Sequence, residues 1–555
     1  MRHAIDFSRS ILPLHLGPQD CVPSSDNHDG ALAEAVRQHD NGLLSLRQIL
    51  PQARFFCGDD VRFYDLKNSD DVREDTNQIR QSLLVYRLGI DDPEDVIAEA
   101  LAHGAAGILT EQALPCPLPQ CIVADVDQAA AAIRCQQLDR PDRRLLTIGV
   151  VGGDGKTSTA LLIGQLLRDC GVRSGYQTDL GSCDGIVQVS QDVSAASGES
   201  LVRWLDEVCD CESEAAIIEL TSHDVRLGHY DAIEFDLLII TGAASSQQDF
   251  GPCELQCALE RLASGGVVVV SADDNEAKRA VIDSGVRRVE YGLTRQADVT
   301  AKIVENDCGM MTLMLQHDDT SAFMETPLCG HAMAANVLAA ATVGILVGEP
   351  LHRVADSLGK LRQIPGRGQR LSTIDHAEVV IDAAGSTSRA RRAIEDAKAG
   401  MAKTRHFGRK GRLWCLLALD DSSDPDELAG LGSLLERHGD HAVLSCRREL
   451  KPGFLKAAHG VLDGAQDCAS LRLVADLERA VRWTVRSASA NDTILIMGNL
   501  ANRTPHAQRT LIQELEQWVA SEQKSMKRTG ANAQPTLTPG STDTAQQPVK
   551  LRIVG

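Results

Sequence analysis

Apolar positions along this chain gather in short, continuous runs separated by helical patterns. Leu145 to Ile148, Ala215 to Leu220, Leu237 to Thr241 and Gly266 to Ser271 read as strands, and Val267 to Val270 is apolar without alternation. A strand of that kind is covered on both faces, as in a parallel sheet between two helical layers. The segment from Leu145 is therefore expected to form a doubly wound α/β unit. A similar series follows, with strands at Val379–Ile381, Leu413–Leu419, Ala442–Leu444 and Ile494–Met497 and a closing helix over Gln508–Gln523. Before both lies a smaller α/β unit: a strand at Ser82–Tyr86, an amphipathic helix at Pro93–His103 and a buried strand at Gly107–Leu109.

Breaks in the pattern set the expected boundaries. Residues 1–40 are polar, without sustained periodicity, and read as a loose leader; 41–143 form the first unit, 144–365 the second and 366–523 the third. The polar stretch Gln136–Arg144 separates the first pair, and the turn Gln363-Ile364-Pro365-Gly366 the second. Residues 524–555, rich in Thr, Gln, Pro, Gly and Ser, read as a disordered tail.

Composition narrows the function. A chain of 555 residues is too long for one core. Its formal net charge of −21 disfavours a general nucleic-acid or anionic-membrane binder, while leaving room for a small anion held by local groups. The 16 cysteines are spread through a chain large enough to fold without cross-links, so reduced, mostly buried thiols are expected. Cys209/Cys211 and Cys253/Cys257 lack zinc-knuckle spacing. Ile11–Leu16 is too short for a signal segment, and no apolar run is long enough to span a bilayer, which points to a soluble, cytoplasmic protein.

The most specific chemistry is in Gly149–Ser158, GVVGGDGKTS, directly after a strand. Gly152, Gly153 and Gly155 let backbone amides approach phosphate oxygens, with Asp154 between them and Ser158 closing the segment. Lys156 is expected to reach the β/γ-phosphates and Thr157 to offer a hydroxyl to Mg²⁺, at the start of a helix whose N-terminus favours anions. Val150 stands where the strict motif has its first glycine, and an ordinary glycine-rich turn is the alternative. The predicted ligand is a nucleoside triphosphate.

Four further residues suit the same ligand. Glu219 ends a buried strand, where it is placed either to bind a metal near the loop or to cap a helix. His223 and His229 follow without a pattern that assigns them. Asn336, in the Ala-rich helix Gly330–Ala341, suits a base edge or an exposed polar position. Arg367, after Pro365-Gly366, offers a cation from the third unit, and Asp382 at a strand end a ribose acceptor.

Taken in order, these residues resemble the Mur ligase family, most closely its UDP-N-acetylmuramoyl-tripeptide synthetase branch, over roughly residues 43–520. The resemblance implies three domains: an N-terminal UDP-sugar-binding domain, a central P-loop-type ATP-binding domain and a C-terminal Rossmann-like ligase domain. It implies ATP and Mg²⁺ as cofactors, a UDP-N-acetylmuramoyl-peptide and an amino acid as substrates, and a role in peptidoglycan-precursor synthesis. By the same resemblance Lys156 and Glu219 are catalytic, Thr157 and Glu219 hold the metal, Asn336 contacts adenine, and Arg367 and Asp382 complete the nucleotide site.

Departures from the family cluster on the metal and acceptor sides. Val151, Gly153 and Asp154 replace family residues in the loop, and Ser246 and Gln247 stand for an Asp-His pair. No lysine lies between Lys156 and Lys278 to serve as the family's carbamylated ligand. Ala383, Ala384 and Gly385 replace Tyr-Ala-His; Ser445-Cys446-Arg447-Arg448 replaces Asp-Asn-Pro-Arg, which recognises diaminopimelate; and Gly498–Asn502 replaces Gly-Lys-Gly-His-Glu. Two readings follow: a working acid–amino-acid ligase with an altered acceptor pocket, or a nucleotide-binding pseudo-ligase with a regulatory or scaffold role.

Overall fold

The computed structural model describes residues 43–68, 81–189, 197–242, 250–307, 309–371, 376–401, 411–419, 424–447, 450–467, 471–498, 500 and 505–531. The expected leader and the last part of the expected tail lie outside them.

Among the described residues the first unit carries a five-stranded sheet in the order Arg54–Phe56, Gln120–Ile122, Gly107–Thr110, Leu83–Val85, Leu66–Lys67, with a separate antiparallel pair at Leu44–Ser45 and Arg62–Phe63. Leu83, Val85 and Leu109 pack against Ile133 of the helix Val126–Gln137, while Leu84 and Ile108 pack against Val96 and Ala100 of Pro93–His103. Both faces are covered, which is why Ser82–Tyr86 shows no alternation. Arg134 fastens this unit to the next, with Asp65 at 2.9 Å and Glu199 at 3.1 Å, and the three form a largely buried ion cluster.

The second unit is built on strand β1 (Leu146–Gly152), helix α1 (Lys156–Asp169), β2 (Ser174–Thr178), β3 (Ala215–Glu219), β4 (Phe235–Thr241), β5 (Leu262–Ser271), β6 (Arg287–Gly292) and helix α2 (His331–Leu346). The six strands are parallel, in the order β2-β3-β1-β4-β5-β6. Successive residues feed opposite cores. Ile148, Val150, Ile239 and Val269 meet α1 and α2, whereas Val151, Leu238, Ile240 and Val268 meet the helices Gly198–Asp210, Pro252–Leu259 and Asn275–Ser284. After β1 the chain builds β2 and β3 on one side, then crosses to the other, so a topological switch point lies at the carboxyl end of β1. Helix α2 contains no charged residue apart from His331 at its start and is buried nearly all round.

The expected parallel strands form the centre of a larger mixed sheet, which among the described residues has eleven strands with antiparallel pairing at both edges. Gly181–Cys183 and Gln188–Val189 extend it beyond β2, and the meander Val299–Asp307, Met310–His317, Thr320–Thr326 extends it beyond β6. The meander does carry a period of two, with Met311, Leu313 and Leu315 buried. Met310 and Met314 on the other face hide it in a hydropathy reading.

The third unit is built on β7 (Glu378–Asp382), α3 (Thr387–Met401), β8 (Leu413–Leu419), β9 (His441–Cys446), β10 (Leu471–Leu473), β11 (Thr493–Gly498) and α4 (Pro505–Ala531), with further helices at Pro425–His438, Phe454–Asp463 and Leu477–Ser487. Its parallel order is β7-β11-β8-β9-β10, and Gln369–Leu371 pairs antiparallel beside β7. The two faces again divide alternate residues: Cys415, Leu417 and Leu419 on one, Trp414, Leu416 and Ala418 on the other. Helix α4 runs past Gln523, where the tail was expected to begin, to Ala531. Met526 packs on the core, and Glu522 is held by Arg486 and Arg482, so the polar composition of 524–531 did not end a helix already nucleated by packed residues. Among the described residues no helix is long and apolar enough to cross a membrane.

Candidate functional site

At the switch point β1 ends in Gly152 and α1 begins at Lys156, leaving Gly153, Asp154 and Gly155 as the loop. Gly152 has φ +132°, and a Cβ there would run into the Thr241 carbonyl. Gly155 has φ +85°, and a Cβ there would run into the Asn336 amide. Both positions require glycine for backbone reasons and for space. The Thr241 hydroxyl, at the end of β4, lies 2.7 Å from the Asp154 carbonyl and 3.1 Å from that of Val151, propping the loop from beneath. Lys156 Nζ curls back to donate to the Gly152 carbonyl at 2.9 Å. Thr157 and Ser158 are buried on the first turn of α1, and Asn336 is buried on the second turn of α2, against Gly155.

Glu219 stands at the end of β3, beside β1, and brings a carboxylate to the same turn. Thr157 Oγ1 donates to its Oε1 at 3.0 Å, and the Asp179 amide donates to its Oε2 at 3.0 Å. Burial pushes the Glu219 carboxyl up, to about 7, and the neighbouring Asp179 carboxylate adds to the rise, against Lys156 and the two hydrogen bonds. Helix capping, the alternative for this residue, is done instead by Thr221, whose hydroxyl accepts from Asp224 N. The Thr157 hydroxyl and the Glu219 and Asp179 carboxylates are hard oxygen donors that line one cavity, a set suited to Mg²⁺. His223 is exposed and is not among the residues lining this cavity, and His229 lies 3.2 Å from Asp224.

The third unit supplies the facing wall. Arg367, Gly368, Arg370 and Asp382 line the cavity with the loop, Glu219 and Asn336. Asp382 Oδ2 accepts from the Gly368 amide at 2.8 Å, which ties the turn after Gly366 to the end of β7. Its burial pushes the carboxyl up to about 6, opposed by Arg367 and by that amide. Arg370 is paired with Glu378 at 2.7 Å. The residues singled out from sequence as nucleotide-binding or catalytic are thus brought together around one cavity, with Gly152 just beneath it.

Sequence reasoning missed two arginines. Arg389 and Arg392, on the first turns of α3, both pair with the Asp154 carboxylate, and Arg389 Nη2 also donates to the Gly153 carbonyl at 2.7 Å. No motif marks them; the cue is only that α3 starts a few residues after Asp382. With these contacts in place the cavity holds about 150 Å³, below the ~300–1,000 Å³ of ordinary small-molecule sites. Asp179 was missed in the same way.

The acceptor-side departures distribute differently. Ala383 lines the cavity, following β7 with Ala384 and Gly385, and none of the three has a polar side chain. Ser445 and Cys446 end β9, and Gly498 ends β11. Ser246, Gln247, Arg448, Asn499, Ala501 and Asn502 lie outside the described residues.

Known proteins share the fold. Residues 150–344 match the family model for the Mur ligase middle domain. The UDP-N-acetylmuramoyl-L-alanyl-D-glutamate--2,6-diaminopimelate ligase of Geobacillus kaustophilus (strain HTA426) is 25% identical over 430 residues, covering 73% of this chain and 84% of that protein. A solved UDP-N-acetylmuramoyl-L-alanyl-D-glutamate--2,6-diaminopimelate ligase superposes with a TM-score of 0.58 at 17% identity, covering 87% of this chain and 99% of the other. The MurF ligase of Thermotoga maritima in complex with ADP gives 0.54 at 15% identity, covering 82% and 97%.

Proposed function

Because the chain belongs to the Mur ligase family, on its diaminopimelate-ligase branch, we propose that it is an ATP-dependent ligase joining an amino acid to a UDP-N-acetylmuramoyl-peptide in peptidoglycan-precursor synthesis. The observation that carries this reading is the convergence of Lys156, Thr157, Glu219, Asn336, Arg367 and Asp382 on one cavity between the second and third units. In the reaction the substrate carboxylate takes the terminal phosphoryl group of ATP, releasing ADP. The amine then attacks the acyl carbon, loses a proton and displaces phosphate.

Lys156 and the loop amides offset charge on the transferred phosphoryl group, and in a water-poor cavity such preorganised donors act strongly. Thr157 and Glu219, with Asp179 beside them, would hold Mg²⁺, which supplies positive charge to the phosphate oxygens. Asn336 supports Gly155, and Arg367 and Asp382 offer ionic and hydrogen-bonding groups from the opposite wall. The N-terminal unit is assigned to the UDP-sugar by position in the chain.

The acceptor is proposed to be an amino acid other than diaminopimelate. Ser445-Cys446-Arg447-Arg448 stands where the family has the Asp-Asn-Pro-Arg that recognises diaminopimelate, and Gly498–Asn502 where it has Gly-Lys-Gly-His-Glu; a site without partners for a charged group discriminates against the ligand that carries it. The same observation favours a second reading, a pseudo-ligase that binds nucleotide without turnover. A screen of UDP-sugar peptides against all amino acids, followed by phosphate release and mass spectrometry, separates them. Product that requires both substrates supports the ligase, efficient use of diaminopimelate overturns the acceptor assignment, and ATP binding with no product in any combination selects the pseudo-ligase.

A further inference from the structure

Asp154 is an acid in the middle of a loop built to hold an anion. It lies between Gly153 and Gly155, next to Lys156 and the amides that open α1. A carboxylate in that place repels phosphate, and the repulsion grows where water is excluded. The cost is relieved here from another unit. Arg389 and Arg392, one helical turn apart on the same face of α3, each take one of its carboxylate oxygens, Arg389 donating to Oδ1 and Arg392 to Oδ2. Arg389 also donates to the Gly153 carbonyl, so the pair grips the loop itself. Their side chains keep 36% and 37% exposure, and both line the cavity.

We propose that Asp154 is a built-in competitor for nucleotide phosphate: it holds Arg389 and Arg392 in the nucleotide-free protein and yields both guanidiniums to phosphate oxygens when ATP binds. This rests on the reading of the cavity as the ATP site. Guanidinium suits phosphate as well as carboxylate, since its planar donors pair two oxygens at once in either anion. The space argument points the same way. With the arginines on Asp154 the cavity holds about 150 Å³, so a nucleoside triphosphate enters only if this wall withdraws or rearranges. The exchange also couples the units. Whatever free energy joins α3 to the loop without nucleotide opposes binding, and whatever joins α3 to the phosphates afterwards favours closure.

The test uses the full chain, with ATP and ADP titrated calorimetrically into wild type, Asp154→Asn, Arg389→Gln/Arg392→Gln, the triple variant and Lys156→Ala, and small-angle scattering with and without nucleotide. Asp154→Asn, close in shape to the native residue, is expected to bind ATP about tenfold more tightly. The double arginine variant is expected to bind at least tenfold more weakly, and the triple variant more weakly than Asp154→Asn, since the arginines then serve the ligand itself. Without nucleotide, Asp154→Asn and the double variant should both scatter as more open particles, and only Asp154→Asn should close again on ATP. If Asp154→Asn binds no tighter, or the double variant binds as wild type does, while Lys156→Ala still weakens binding, the competitor proposal is overturned and the ATP site stands. ATP binding seen only in Asp154→Asn supports the proposal in its strongest form. If neither protein binds ATP, the reading of the cavity falls and the proposal with it.

Discussion

Two strand ends face each other across the cavity. β1 runs through Gly152 into α1, and β7 runs through Asp382 into α3. Both are parallel strands followed within a few residues by a helix. The first is shaped by backbone: glycines at positive φ, loop carbonyls held by the Thr241 hydroxyl, and side chains at Lys156 and Thr157 fixed by the first helical turn. The second contributes through long side chains. Asp382 buttresses the Gly368 turn, while Arg389 and Arg392 reach out of α3 to the opposite loop. A site made of backbone tolerates few residues at its turns, whereas one made of extended side chains depends on where a second body is placed.

The largest expected effect breaks the first wall. Lys156→Ala should weaken ATP by roughly 2–4 kcal/mol, as for removing one partner of a desolvated charge pair, read by calorimetric titration. Equal affinity in the two proteins would remove the loop from the site. Gly155→Ala comes next: a positive φ and a collision with Asn336 together should cost about 1–3 kcal/mol of stability in denaturant titration. Adding Asn336→Ala should recover part of that loss, because it relieves the collision and leaves the dihedral strain. No recovery would mean that the amide contact plays no part.

The second wall should answer to pH. Asp382 has a carboxyl raised from 3.8 to about 6 by burial, so the native state binds its proton more tightly than the unfolded chain. Its contribution to stability is therefore full below about 3.8 and is lost as pH rises through about 6. Asp382→Asn should remove that dependence, so the wild type loses stability relative to the variant between pH 4 and pH 7. A constant difference across the range would reject the assignment. The smallest effect concerns the anchor of α3. Thr387 Oγ1 donates to the Glu427 carboxylate at 2.7 Å, and its amide does so at 2.8 Å. Thr387→Ala should cost about 1.5 kcal/mol in thermal or chemical denaturation, the low end for a hydrogen bond to a charged group, and weaken ATP less than the double arginine variant does.

How much was legible follows from the same contrast. Strands fully covered on both faces announce themselves as unbroken apolar runs, so Ala215–Glu219 and Leu413–Leu419 were found close to their bounds, and the helix Pro93–His103 was found from its amphipathic pattern. The edge meander from Val299 to Thr326 was not; in its middle strand Met310 and Met314 on the outer face mask the period of two. The phosphate loop was readable because its function needs particular residue types at fixed spacing within one turn. Thr241, Asp179, Arg389 and Arg392 carry no such local signature.

By itself the sequence determined the order of α/β units, the loop from Gly149 to Ser158 and the residue types at Glu219, Asn336, Arg367 and Asp382. These follow from periodicity and from backbone conformations that only glycine adopts freely, which act over a few neighbours in the chain. Tertiary structure alone decided that Asp154 is neutralised by Arg389 and Arg392, more than two hundred residues away, that Asp179 joins Glu219, and that β1 and β7 close on one cavity. Those pairings depend on how the second and third sheets dock. Charge attraction across a gap is set by distance in space, and no spacing along the chain encodes it.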